Sequence, residues 1–203
     1  MRPRHLPLLA ALLAAGCGSL SSGPTARTYR MAYQPPTPDG AAVAATVRVV
    51  PFGIAAAYDS QSFVYREGAY DIGVDPYHQW IAGPAAMITD LVARDLAAAD
   101  AFQAVLQAPS ALPSDYELNG WIETFEERDD DGCLAHVRLR ALFVRVPPRG
   151  PRQVLFEDSL TGDEPCTAGD PDAFAAAMSR AVERLSDEIR TRAVAAAQAQ
   201  PTP

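Results

Sequence analysis

Past its first 28 residues the chain alternates β-branched runs with two longer stretches whose apolar positions recur every three or four residues. Thr46-Val47-Arg48-Val49-Val50 is closed by Pro51, which has no amide hydrogen with which to extend a ladder. Ser62-Phe63-Val64-Tyr65-Arg66 and Tyr70-Asp71-Ile72-Gly73-Val74 flank Glu67-Gly68-Ala69, the pattern of a short hairpin. Pro84 suits the first turn of a helix, where an amide has no partner to lose, and Met87, Ile88, Leu91, Val92 and Leu96 follow at helical spacing. A second β region spans residues 116–160. In it Tyr116, Leu118, Gly120 and Ile122 alternate with polar neighbours, as do Val137, Leu139, Ala141 and Phe143 with His136, Arg138 and Arg140. Asp129-Asp130-Asp131-Gly132 predicts the turn between those two strands, and Val146-Pro147-Pro148-Arg149-Gly150-Pro151 the turn into a third at 153–160. The last helix has the clearest start: Asp170 as N-cap, Pro171 in first position and Asp172 at the positive end of the helix dipole. Phe174, Met178, Ala181, Leu185 and Ile189 form its apolar stripe, with Arg190 and Arg192 near its C-terminal end. The expected fold class is α/β, a mixed sheet with at least two long helices packed on it as an α/β sandwich.

The N-terminus follows a different pattern. Arg2, Arg4 and His5 precede an apolar run over residues 6–15. That run has the length of a signal-peptide core and falls short of the roughly 20 residues that span a bilayer. It ends in Leu13-Ala14-Ala15-Gly16-Cys17, which resembles the bacterial lipobox, with Ala14 where Leu is usual. The expectation is export, cleavage before Cys17 and acylation of its sulfur; the alternative is an ordinary secretory signal that leaves Cys17 as a free thiol. The expected organisation is a signal peptide at 1–16, the acylated cysteine and a polar tether at 17–28, one domain at 29–195, and an Ala/Gln/Pro-rich disordered tail at 196–203. Extended at about 3.3 Å per residue, the tether holds the domain a few tens of ångströms from the bilayer. Gly18 follows the cysteine in place of the Asp that retains enterobacterial lipoproteins at the inner membrane, so the outer membrane is the expected address.

With Cys17 assigned to lipid, Cys133 and Cys166 remain. If Val146 faces Gln153 across the proline-rich turn, partners on those strands have numbers that add to 299, as do Cys133 and Cys166. One register therefore sets the two cysteines opposite each other, in an oxidising compartment where a disulfide persists. A loop of that size stabilises by about 3–4 kcal/mol in the chain-entropy view. Every basic residue is Arg, and loss of the two in the leader leaves 15 against 25 acidic residues, a net charge of −10. No basic cluster tracks a phosphate backbone, which argues against nucleic acid. No Walker loop, GxSxG elbow, GxGxxG or zinc spacing occurs, so no catalytic residue, cofactor or metal is assigned. His136 is expected on a solvated strand face beside Arg138 and Arg140, and His78 beside Trp80 in a loop.

One stretch is unusually aromatic: Tyr58-Asp59-Ser60-Gln61-Ser62-Phe63-Val64-Tyr65-Arg66-Glu67, then Tyr70, then Tyr77-His78-Gln79-Trp80 before Gly83-Pro84. Joined to the lipobox, the opening Tyr29-Arg30-Met31 and the later Tyr116-Glu117-Leu118-Asn119-Gly120 with Phe125, it resembles the ABC-type transport auxiliary lipoproteins, the paraquat-inducible-protein-C-like family. Met31 stands where the family has Leu. The resemblance covers residues 28–195 and implies a non-enzymatic role in lipid transport across a Gram-negative envelope. The implied partners are a periplasmic MCE-domain protein, which forms a hydrophobic conduit, and the components of an inner-membrane ABC transporter; a homo-oligomer is compatible with this role. Tyr58, Tyr65, Arg66 and Trp80 are the candidate partner interface, since Tyr, Trp and Arg concentrate at interface hot spots. For Trp80 a core position is an equal reading, and Phe63 is expected in the core. The alternative function is a periplasmic lipid carrier that shelters an acyl chain between sheet and helix.

Overall fold

The computed structural model describes residues 25–38, 43–129 and 132–200, so the leader, Cys17 and Gly18 lie outside the described residues, as do Asp130 and Asp131 of the expected turn. The elements in chain order are β1 (Arg27–Tyr29), β2 (Val43–Val49), β3 (Gly53–Ile54), β4 (Ser62–Glu67), β5 (Asp71–Trp80), α1 (Pro84–Ala98), β6 (Phe102–Gln107), β7 (Tyr116–Arg128), β8 (Leu134–Arg145), β9 (Gln153–Pro165) and α2 (Pro171–Gln198). They build a mixed sheet with two helices, the expected α/β class.

Strand β7 is the spine. Along one edge it takes three short parallel partners in succession: β2 at residues 47–49, β3 at 53–54 and β4 at 65–66. Its other edge pairs antiparallel with β8 over nearly its whole length, and β8 pairs in turn with β9. The β7–β8 register shifts between Ile122 and Thr124, which makes Glu123 an extra residue. A one-residue bulge reverses which parity faces the core. Tyr116, Leu118 and Ile122 therefore point inward before it, Phe125 points inward after it, and Glu126 turns to the opposite face.

The β8–β9 ladder shows the expected sum of 299 from Leu134↔Pro165 through Phe143↔Phe156. It then shifts at a second bulge, so that Arg145, not Val146, faces Gln153. The turn is off by one from expectation, and the extra residue in β9 restores the register that carries Cys133 to Cys166. The two cysteines are bonded, with Cα atoms 4.9 Å apart.

Helix α2 starts as its sequence dictates: the Asp170 carboxylate accepts from the amides of Asp172 at 3.0 Å and Ala173 at 3.1 Å. Its buried stripe over β8 and β9 is the expected set of Phe174, Met178, Ala181, Leu185 and Ile189. Ala193 and Ala197 continue that stripe, which is why the helix runs to Gln198 and past the boundary expected at 195. Three further differences have local causes. Tyr77, His78 and Trp80 lie in β5 and not in a loop, because β1 adds itself to that end of the strand. Arg27 and Thr28 thereby belong to the sheet and not to the tether. Strand β6 was not legible: Phe102-Gln103-Ala104-Val105-Leu106-Gln107 has no clean alternation and pairs in parallel with a segment some sixty residues away.

Candidate docking surface

The hairpin β4–β5 is anchored near its turn by one buried carboxylate. Glu126, on the outer face of β7, is 1% exposed in its side chain. It accepts hydrogen bonds from the Tyr58 hydroxyl (2.8 Å), Arg66 Nε (2.8 Å) and Arg128 Nε (3.0 Å). Burial alone pushes this carboxyl up, but the bonds from Arg66, Tyr58 and Arg128 together outweigh it and hold it below its ordinary value. The Tyr58 phenol is pushed the other way, up to about 12, first by burial and then by its bond to Glu126. A second carboxylate shapes β5 itself. Asp75 accepts from the amides of Tyr77 (2.7 Å) and His78 (3.1 Å) and lies 2.6 Å from the His78 ring. Burial pulls Asp75 upward, and the hydrogen bonds from His78 and Tyr77 bring it to a net downward position. Pro76 beside it, with no amide hydrogen, suits an edge strand.

Strand β5 meets β4 on one side, whereas on the other β1 covers only residues 78–80. Among the described residues no strand pairs with the outer edge of residues 71–77. The same segment is apolar: of the nine exposed large hydrophobic side chains among the described residues, six are Tyr65, Tyr70, Ile72, Val74, Tyr77 and Ile81. Tyr70, in the turn, is 99% exposed. Tyr65 lies flat over Gly73, its cross-strand partner, where a Cβ would come within 2.2 Å of the ring. Single exposed apolar side chains are ordinary, whereas these gather around one unpaired edge.

The four interface candidates divide accordingly. Tyr65 is on the exposed surface, and Arg66 stands beside it with its guanidinium turned to Glu126. Trp80 is 1% exposed and belongs to the core: its ring centroid lies 4.5 Å from Phe63 and 5.6 Å from Phe125, with Phe174 of α2 completing the cluster. Tyr58 is also buried, facing Glu126. Phe63 is in the core, as expected. His136 departs from expectation: it is buried, in one cross-strand row with Glu126 and Asp163, and its Nδ1 lies 2.6 Å from Asp163. Its face was inferred correctly from alternation with Arg138 and Arg140, but neighbours on both flanking strands cover that end of the face. Sequence reasoning missed Tyr70, Ile72, Val74 and Tyr77 as surface residues and Glu126 as the anchor. The free edge of β5 is a property of topology, and the partners of Glu126 lie 60 and 68 residues away.

Residues 29–190 match the profile of the family described as ABC-type transport auxiliary lipoprotein component. The chain belongs to that family. Its fold recurs in a crystal structure of a Xanthomonas campestris protein of the DUF330 family, 22% identical, with a TM-score of 0.75 over 85% of this chain and 97% of the other. A hypothetical protein from Chlamydia trachomatis is 12% identical, with a TM-score of 0.57 over 77% of this chain and 99% of that one. No protein of curated function matches the chain.

Within this auxiliary lipoprotein the seam between sheet and α2 is filled by side chains. Phe125, Phe143, Phe174 and Met178 are each 2% exposed or less, so an acyl chain lying there would have to displace them. Two open clefts lie elsewhere. One, of about 360 Å³, has walls that include Tyr33, Pro35, Asp95, Glu183, Asp187 and Arg190. The other, of about 380 Å³, is bordered by Pro51, Phe52, Asp59, Thr89, Asp90 and Gln107. Both are open to solvent and carry carboxylates on their walls, whereas an acyl chain needs an enclosed apolar lining, which counts against the lipid-carrier alternative. Among the described residues no helix is long and apolar enough to cross a membrane.

Proposed function

We propose that this chain is a non-enzymatic lipoprotein of the outer membrane, tethered through Cys17, that docks the periplasmic MCE-domain conduit of an ABC-type lipid transport system. The observation that carries the reading is the hairpin: an unpaired strand edge over residues 71–77 bearing exposed apolar side chains, braced near its turn by the Glu126 ion cluster. An extended segment of a partner gains main-chain hydrogen bonds along such an edge and apolar contacts from Ile72 and Val74, which share one face of it. Tyr70 and Tyr77 add rigid area at low entropic cost. The proposed tether would give the domain reach toward a periplasmic partner, and the family's description as an ABC-type transport component supports a partner of that kind.

The test is site-specific photocrosslinking in native membranes from positions Tyr70 and Ile72, with Val154 on β9 as a control site whose 58% exposure lies between theirs. The expected outcome is an MCE-domain protein captured from the hairpin positions and not from the control. Equal capture from all three sites, or capture of no envelope transport component, overturns the reading. Palmitate labelling of the mature chain, abolished by Cys17→Ser, tests the anchor separately.

A further inference from the structure

A cross-strand disulfide at the end of a long ladder ordinarily serves as a staple. Here the ladder between β8 and β9 already fixes its own register through twelve paired positions, and α2 begins five residues later with its own cap. What a staple does not require is a neighbouring carboxyl. Glu127 Oε1 lies 3.2 Å from Cys133 Sγ. A sulfur in a disulfide has no proton to give, and an ionised carboxylate beside it would face only lone pairs. The contact is favourable when the carboxyl carries the proton, or when Cys133 does. Glu127 is suited to carry it, because burial pushes its carboxyl up, and the charges of Asp129, just past the end of β7, and Asp75 on β5 push it further. Asp75 is itself partnered by His78. Across Ala135 of β8 the next residue in the row is Glu164, whose charge is met by Arg180 at 3.1 Å and Arg184 at 2.8 Å. The sulfurs also differ in access: Cys133 is buried at 8% exposure, whereas Cys166 is half-buried, so an incoming thiolate reaches Cys166.

We propose that Glu127 is the proton relay of a dithiol–disulfide exchange centre formed by Cys133 and Cys166, which trades two electrons with an external dithiol. In the reducing direction a thiolate of the external dithiol attacks Cys166 Sγ. The bond between the two cysteines breaks, Cys133 leaves with the electron pair and takes the proton from the Glu127 carboxyl, and a mixed disulfide forms on Cys166. The second external thiol, as thiolate, attacks the external sulfur of that mixed disulfide. The external partner leaves as a disulfide, Cys166 leaves as a thiolate that takes a proton from water, and Glu127 is reprotonated from water. The protein disulfide is reduced and the external dithiol oxidised. In the reverse direction the Glu127 carboxylate removes the Cys133 proton, so that the thiolate attacks an external disulfide.

The probe is dithiothreitol acting on the full mature chain in detergent, with alkylation of the Cys133 and Cys166 peptides followed by mass spectrometry. The wild-type rate, corrected for the thiolate fraction of the reagent, should fall as pH rises through an inflection above 4.5, the ordinary glutamate value. Glu127→Gln should slow reduction by about 100-fold and remove the inflection, in keeping with loss of a general acid. Asp129→Asn, which removes one like charge, should move the inflection to lower pH. A Glu127→Gln protein reduced at the wild-type rate with the wild-type pH profile overturns the proposal, as does a wild-type disulfide that resists reduction until the domain unfolds. Should Glu127→Gln fail to fold, an unshifted inflection in Asp129→Asn overturns it equally.

Discussion

Arg66 Nε lies 2.8 Å from Glu126 Oε1, joining the hairpin to the spine strand across 60 residues of sequence. The carboxylate is nearly sealed from water while both its arginines keep partial access, at 17% exposure for Arg66 and 31% for Arg128. Glu126→Gln would leave two guanidinium groups facing a neutral amide. Losing one member of a buried ion cluster costs about 3–5 kcal/mol, and the partial hydration of the arginines places the expectation near the lower end. Urea denaturation measures it, and a loss under about 1 kcal/mol would show that the cluster does not brace the hairpin.

The same cluster sets the response to pH. Glu126 and Asp75 titrate below their ordinary values of 4.5 and 3.8, so the unfolded chain takes up protons first as pH falls. Their stabilisation is complete above those values and is lost as pH drops through the lower folded-state values. At the alkaline end the Tyr58 phenol ionises at 10.0 in the unfolded chain and at about 12 in the fold, so stability is lost as pH rises between the two. Thermal unfolding across pH should show both flanks. Glu126→Gln should flatten part of the acid flank, which Asp75 shares, and Tyr58→Phe part of the alkaline one, which the raised phenols of Tyr29, Tyr33 and Tyr116 share.

Trp80 and Tyr70 lie ten residues apart in one hairpin and should behave oppositely. Trp80→Ala removes the centre of the Phe63–Phe125–Phe174 cluster and should cost about 3–5 kcal/mol. Tyr70→Ser touches nothing in the domain and should change stability by less than about 0.5 kcal/mol while weakening capture of the partner. If Tyr70→Ser lowers the melting temperature by several degrees, the turn is packed and not free.

Gly120 offers a test of the sheet itself. A Cβ at this position would come within 2.5 Å of the Phe52 ring, which lies against β7. Gly120→Ala should destabilise by about 1–3 kcal/mol through overpacking, and pairing it with Phe52→Leu should recover part of the loss. Calorimetry of the single and double variants measures the coupling.

Both helices and the strands of the second β region were legible because local periodicity and punctuation specify them, Asp170-Pro171 above all. The Cys133–Cys166 pairing was legible too, although the turn that anchored the inference was misplaced by one residue and a bulge in β9 compensated. Phase reversals were not legible. The bulge at Glu123 has no composition cue, and it alone sends Phe125 inward and Glu126 outward. Aromatic residues marked the right segment but could not be sorted by character, since both Trp80 and Tyr70 are amphipathic aromatics and it is what surrounds each that buries one and exposes the other. The surroundings come from β1, β7 and α2, none of which is near in sequence.

Strand β4 touches the spine at only two ladder positions, Tyr65↔Glu127 and Arg66↔Arg128. Beyond those two positions lie only the Glu67–Asp71 pair and the turn between them, so substitutions there disturb none of the buried contacts that Phe63, Val64 and Trp80 make.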